Sequence, residues 1–171
     1  ACELVSDISL GLVLKNISGA QPPLSRSPWY LLVELSGSGD ERVLRETMEG
    51  FLEQSLENGA INDAVVAQSV DQARRLWALR EDISEAQKIE GISIKHDISV
   101  PVSRIGEFVE RADAALQQTF PGIRIVAFGH VGDGNLHYNQ SRAEAGENAA
   151  FIAAQPKVNE IVHDLVHALG G

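Results

Sequence analysis

Hydrophobic and polar residues change their period along the chain, and the changes mark out strands and helices. From Trp29 to Ser36 apolar residues alternate, which predicts a strand with Trp29, Leu31, Val33 and Leu35 facing a core. A turn at Ser36 to Gly39 leads to Asp40, a suitable N-cap for a helix to about Glu57. Leu44, Met48, Phe51, Leu52 and Leu56 recur there at helical spacing, and Asn58-Gly59 is the stop. A strand is expected near Ala60 to Ala67. The longest helix is expected from about Val70 to Ile89, with Leu76, Leu79, Ile83 and Ala86 as its buried stripe.

The segment Ile92 to Val100 returns to strict alternation. Ile92, Ile94, His96, Ile98 and Val100 lie on one side, and Ser93, Lys95, Asp97 and Ser99 on the other. Pro101 ends it. A helix from Ser103 to about Thr119 should bury Ile105, Phe108, Val109, Ala112 and Leu116. Phe120-Pro121-Gly122 then breaks the chain before strands at Ile123 to His130 and Asn135 to Gln140. A final helix is expected from about Pro156, with Val158, Ile161, Val162, Leu165 and Leu169 inward. Strands alternate with helices, yet a tight hairpin is present, so the sheet is not wholly parallel. The expected architecture is α+β, a ferredoxin-like, mostly antiparallel sheet backed by helices.

The chain has 171 residues, enough for one domain with a real core or for one part of a larger protein. Its 14 Lys and Arg against 24 Asp and Glu give a net charge of −10, which argues against nucleic acid and anionic membrane as partners. Hydrophobic residues at 44% and charged residues at 22% match an ordinary globular domain, with no apolar run that could span a membrane. Glu3 and Asp7 stand where a signal peptide would carry basic residues. The lone Cys2 excludes an internal disulfide or a thiolate zinc site and fits a reducing, cytoplasmic compartment.

Ile125 to Gln140 reads IVAFGHVGDGNLHYNQ, and Asp133-Gly134 between two strand-like runs is a strong hairpin signal. With those two residues as a type I′ loop, His130 faces His137 and Phe128 faces Asn139. The two imidazoles then share one face of the sheet, close enough to hold one metal ion. The plainer reading is a polar cross-strand pair on a solvated face. Gly129, Gly132 and Gly134 clear side chains from the approach to the turn, as a nearby ligand would require. A metal held by two histidines calls for an oxygen ligand too. Asp133 is the local candidate, although turn chemistry alone accounts for it.

The remaining candidates divide in the same way. His163 and His167 have the i, i+4 spacing of a helical metal pair but read first as helix-flank histidines near a C-terminus. His96, on an apolar face, reads as a satisfied core histidine. Arg80 and Ser84 lie one helical turn apart; Arg80 reads first as a surface ion pair with Glu81 or Asp82, and otherwise as a bidentate carboxylate grip. Lys95 stands on one wall of a polar pocket or on a solvated strand face.

Taken in series, WALRE (Trp77 to Glu81), KHDISVP (Lys95 to Pro101) and GHVGDGNLHYN (Gly129 to Asn139) resemble the C-terminal, substrate-side domain of FAD-linked oxidases that act on D-2-hydroxy acids. D-2-hydroxyglutarate dehydrogenases, D-lactate dehydrogenases and the glycolate oxidase FAD subunit belong to that group. The resemblance runs from about Trp29 to Gly171. It implies a metal, commonly zinc, on His130 and His137. It also implies a 2-hydroxy acid substrate held by Arg80, Ser84, Lys95 and Asn139, with hydride passing to FAD. The FAD is carried by an N-terminal FAD-binding domain of the same polypeptide, and the assembly can be a homo-oligomer. Ser84 stands where a relative carries threonine. In the family a Ser-Ala-Glu-His-Gly type motif follows the Gly-Gly, supplying a third metal ligand and the catalytic base; the chain stops at Gly171 before it. The expectation is therefore a fragment, inactive alone, whose base lies beyond Gly171. The alternative is a stand-alone α+β module that binds a small anion or a metal without redox chemistry.

Overall fold

The first sixteen residues, ahead of the first strand that alternation marks, build a strand and a helix. In the computed structural model, which describes residues 1–142 and 148–171, strand β1 (Cys2–Ser6) runs directly into helix α1 (Asp7–Asn16). Ser6 makes the transition, because its side-chain oxygen accepts from the N–H of Ser9 at 3.2 Å and caps the helix. Strand β2 (Trp29–Val33) follows, then helices α2 (Glu41–Glu57), α3 (Val70–Glu81) and α4 (Ile83–Glu90). The second half contains β3 (Ser93–Ile94), β4 (Asp97–Ser99), α5 (Ile105–Thr119), β5 (Arg124–His130), β6 (Asn135–Ser141) and α6 (Asn148–Ala168).

All strand pairs are antiparallel, in the order β2-β1-β5-β6, with β3 and β4 both against the outer edge of β6. The α+β class and the antiparallel sheet agree with the sequence pattern, and helices cover both faces. On one face Ile125, Ala127, Leu136 and Tyr138 pack with α5 and α6, and α5 buries the five residues expected of it. On the other, Val5, Val126 and Phe128 pack with α1 and with Ile83 and Ala86 of α4. Glu90 fastens this second layer. Lys15, then Asn16 and Arg124, hold its carboxyl down to about 2, tying the end of α4 to α1 and β5.

Five expectations are corrected in these elements, the first being that β2 ends at Val33 and that Leu31 and Leu35, expected to face a core, are exposed. No strand forms at Ala60 to Ala67, where a loop joins α2 to α3. The long helix is two, α3 and α4, joined at Asp82, whose ψ of −4° is far from the usual helical value. In α2, Val43, Phe51 and Leu56 are exposed and Leu44, Met48 and Leu52 only half-buried, since the layer over β5 is taken by α1 and α4. The last helix starts at Asn148 and runs through Pro156. The alternating run Ile92 to Val100 keeps its burial pattern at Ile94, His96, Ile98 and Val100, but its ladder breaks at Lys95-His96.

The hairpin also departs from the two-residue turn. Its loop is Val131 to Gly134, so His130 pairs with Asn135, Phe128 with His137 and Val126 with Asn139. A type I′ turn needs positive φ at both central residues. Asp133 does not have it, whereas Gly134 does at 74°. The cause lies outside the hairpin: the N–H of Val131 is drawn to Cys2 O of β1 at 3.0 Å, and Gly134 O accepts from the N–H of Val100 at 3.2 Å. Because the shift is two residues in register, every side chain stays on its expected face.

His96 is the satisfied core histidine expected. Its Nδ1 lies 3.3 Å from Tyr138 O and its Nε2 3.0 Å from Asn159 Oδ1, with the exposed His163 ring edge-on at 5.4 Å between centroids. Burial pushes its pKa down, and the charge of His163 adds to that.

Two predictions follow from this framework. A Cβ on Gly134 would sit 1.9 Å from Val100 O, while one on Gly132 meets nothing within 4 Å. Gly134→Ala should therefore lose about 1–3 kcal/mol in urea unfolding, with Gly132→Ala close to wild type. Equal stabilities would remove the proposed backbone constraint. For His96, a folded pKa below the ordinary value of about 6.5 means that protonation favours the unfolded chain. That contribution is intact above about pH 6.5 and is lost as pH falls below it toward the folded value. The urea midpoint should drop between about pH 7.5 and about pH 5.5, and His96→Gln should shrink the drop; an unchanged drop would assign it to other groups.

Candidate functional site

The register of β5 and β6 places Phe128, His130, Asn135, His137 and Asn139 on the face covered by α1 and α4. His130 and His137 are diagonal neighbours there, a relation that sets Cα atoms about 7–8 Å apart. Strand β1 adds Glu3, the ladder partner of His130. Helix α3 lays Arg80 over the same surface.

Two of these side chains, Arg80 and His130, meet on the carboxylate of Glu3. Glu3 is 1% exposed, and its Oε2 accepts from Arg80 Nε at 2.7 Å. Its Oε1 is set against Nδ1 of His130 and, among the described residues, makes no hydrogen bond of full geometry. The Arg80 guanidinium lies 4.6 Å from the centroid of the Phe128 ring, a cation–π contact, and the His137 ring lies 4.8 Å from the same centroid. His137 Nδ1 is 3.6 Å from Asp97 Oδ1, and that oxygen also accepts from Asn135 Nδ2 at 2.9 Å. Burial pushes the His137 pKa down; Asp97 opposes this, and the charges of Arg80 and His130 reinforce it.

Arg80, His130 and His137 are thus brought together from three elements. Arg80 uses neither Glu81 nor Asp82; its partner is Glu3, far away in sequence. Ser84 lies past the Asp82 joint on α4 and is exposed. Lys95 is exposed at the gap between β3 and β4. Asn139 is on the histidine face but is buried, with both ends of its amide engaged. Its Oδ1 accepts from the N–H of His96 and its Nδ2 donates to Gln87 Oε1, each at 3.0 Å. Asn139 therefore braces the gap at which Lys95 stands.

The other candidates have structural uses. Asp133 Oδ1 accepts from the N–H of Asn135 at 3.1 Å, so it serves the turn. His163 and His167 are exposed on α6. Among the described residues no three or more His, Cys, Asp or Glu are arranged to hold a metal ion. The chemistry available to one is the two hairpin histidines, each with Nδ1 turned to a carboxylate.

Glu3, Phe128 and Asp97 were not singled out by motif or spacing. Glu3 did carry a signal, a charged residue inside the apolar run of a buried strand, which demands a buried partner.

The brace predicts a measurable effect. Asn139→Ala should lower unfolding stability by about 1–3 kcal/mol, because the buried His96 N–H loses its acceptor. A variant as stable as wild type in urea would reduce Asn139 to a ligand group.

Comparison with known proteins addresses the chain as a whole. The family model described as FAD linked oxidases, C-terminal domain, matches residues 1–171. The mitochondrial D-2-hydroxyglutarate dehydrogenase of Arabidopsis thaliana is 41% identical over 145 residues, covering 84% of this chain and 25% of that protein. The D-2-hydroxyglutarate dehydrogenase of Xanthomonas citri pv. viticola is 36% identical over 172 residues, 100% of this chain and 35% of its own length. That of Stutzerimonas stutzeri is 35% identical over 171 residues, 100% and 36% respectively. The chain thus spans between a quarter and about a third of the curated relatives it matches. With its whole length matched, the chain belongs to the C-terminal domain family of the FAD linked oxidases.

Proposed function

We propose that this chain is the substrate and metal side of a flavin-dependent dehydrogenase that oxidises a D-2-hydroxy acid to a 2-oxo acid. FAD is held by an N-terminal FAD-binding domain of the same polypeptide. The observation that carries this reading is the convergence of Arg80, His130 and His137 on the Glu3 and Phe128 centre, three elements that only the tertiary fold unites.

His130 and His137 fit a divalent metal as two of its donors. Both turn Nδ1 toward a carboxylate, Glu3 and Asp97, the outer-shell arrangement of metal-binding imidazoles. Zinc suits imidazole donors, and when bound it supplies Lewis-acid polarisation of the 2-hydroxyl and carboxylate oxygens of the substrate.

The chain's own residues do the rest of the binding. Arg80 has Nε tied to Glu3 and its plane set by Phe128, which presents the remaining guanidinium N–H groups to a carboxylate in a fixed orientation. Lys95 offers a mobile point charge, suited to a second carboxylate, and the pair favours a 2-hydroxy dicarboxylate such as the one in the relatives' names. Ser84 adds a hydroxyl one turn beyond Arg80. Asn139 holds the gap that carries Lys95. A third metal donor and the base for the hydroxyl proton come from the polypeptide beyond Gly171.

The test uses the full-length polypeptide with its FAD. Elemental analysis should find zinc in the wild type and much less in His137→Ala. Arg80→Lys keeps the charge but loses the fork, and should raise KM for a D-2-hydroxy dicarboxylate about 10- to 100-fold. Equal metal content together with an unchanged KM would overturn the reading.

A further inference from the structure

We propose that Glu3 is a positioning residue that sets the tautomer of His130 and fixes Arg80 with the same carboxylate, so that metal donor and anion grip are aligned by one buried group. The inference rests on the metal reading above for its purpose, but its geometry stands on this chain alone.

Protonation bookkeeping gives the argument. A carboxylate has acceptors and no donor. Glu3 is fully enclosed, and Arg80 Nε–H, which can only donate, takes Oε2 at 2.7 Å. Among the described residues Oε1 makes no hydrogen bond of full geometry, and the polar atom set against it is Nδ1 of His130, a contact that is attractive only if Nδ1 carries the proton. The tautomer of an imidazole follows from the hydrogen bond its other nitrogen makes. With the proton held at Nδ1, Nε2 keeps its lone pair on a side chain that is 55% exposed and reachable from outside. Arg80 is the other half of the device. Its side chain is 13% exposed, and its charge offsets that of the buried carboxylate. The ladder pairing of Glu3 with His130 makes the contact a property of the sheet, whereas Asp97 reaches His137 from the broken edge strand, at 3.6 Å and with 67% exposure. The two histidines are therefore unequal: His130 is locked and His137 is adjustable.

The decisive substitution is Glu3→Gln, which keeps the shape and changes the donor count. A glutamine has one acceptor oxygen and one NH2 group. Arg80 Nε–H requires the oxygen, so the NH2 is left facing His130, Nδ1 must accept, and the proton moves to Nε2. Nitrogen-15 NMR of imidazole in the metal-free chain, above neutral pH, should show Nδ1–H at His130 in the wild type and Nε2–H in Glu3→Gln. Zinc titration should show about 10- to 100-fold weaker binding in the variant. A wild-type His130 protonated at Nε2 would overturn the proposal, as would the same tautomer in both proteins. The wild-type spectrum decides even if Glu3→Gln does not fold, and Glu3→Asp, which restores an acceptor-only group, should retain Nδ1–H. If the tautomer inverts as stated while the wild type takes up no zinc, the metal reading fails and the control of His130 by Glu3 stands.

Discussion

A carboxylate removed from water must be compensated, and the burial of Glu3 is the constraint around which this face of the sheet is arranged. Compensation comes from α3 above and from β5 beside it in the ladder. Helix α3 has no fully buried residue of its own, so apolar packing alone holds it loosely. Its place is set by Arg80 on Glu3 at one end of the contact and by Trp77 Nε1, which donates to Glu34 Oε2 at 2.6 Å, at the other. Phe128 completes the arrangement, since its ring receives the Arg80 cation and lies against the His137 imidazole. An ion pair that would be unremarkable on the surface here decides where a helix lies and which way two other side chains face.

The outer edge of the sheet is handled differently. A long regular strand beside β6 would present a continuous row of unpaired backbone groups, an invitation to association. Instead the run from Ser93 to Ser99 pairs in two short pieces with Lys95-His96 between them. The buried groups at the gap are met individually: His96 N–H by Asn139, and His96 O by the N–H of Tyr138 at 2.9 Å. The same irregularity that blunts the edge puts a lysine in solvent beside the histidine face.

Much of this was legible because period is a local property. The five inward residues of α5, the outward set of Lys95, Asp97 and Ser99, and the shared face of His130 and His137 all follow from spacing alone. The hairpin shows why a wrong register still gave the right face: the error was two residues, and a strand repeats every two. What escaped the sequence depends on contacts between distant segments. The loop grew to four residues because β1 and Val100 each claim one of its backbone groups. Nothing near Glu3 in sequence announces an arginine 77 residues on or a histidine 127 residues on. The opening strand and helix were missed because CELVSDISLGLVLKN is apolar on too many sides to show a period, as befits elements packed between a sheet and another helix layer.

The position of β1 between β2 and β5 has a kinetic corollary. Its pairing with β2 closes a short loop, but its pairing with β5 joins the start of the chain to a strand more than a hundred residues later. Such a closure costs chain entropy before any contact rewards it, and non-local pairings of this sort slow folding. The hairpin, by contrast, is local and can zip early. Contact order thus favours pairing of β5 with β6 ahead of the docking of β1. The face that carries the histidines is therefore completed only by a strand from the opposite end of the chain.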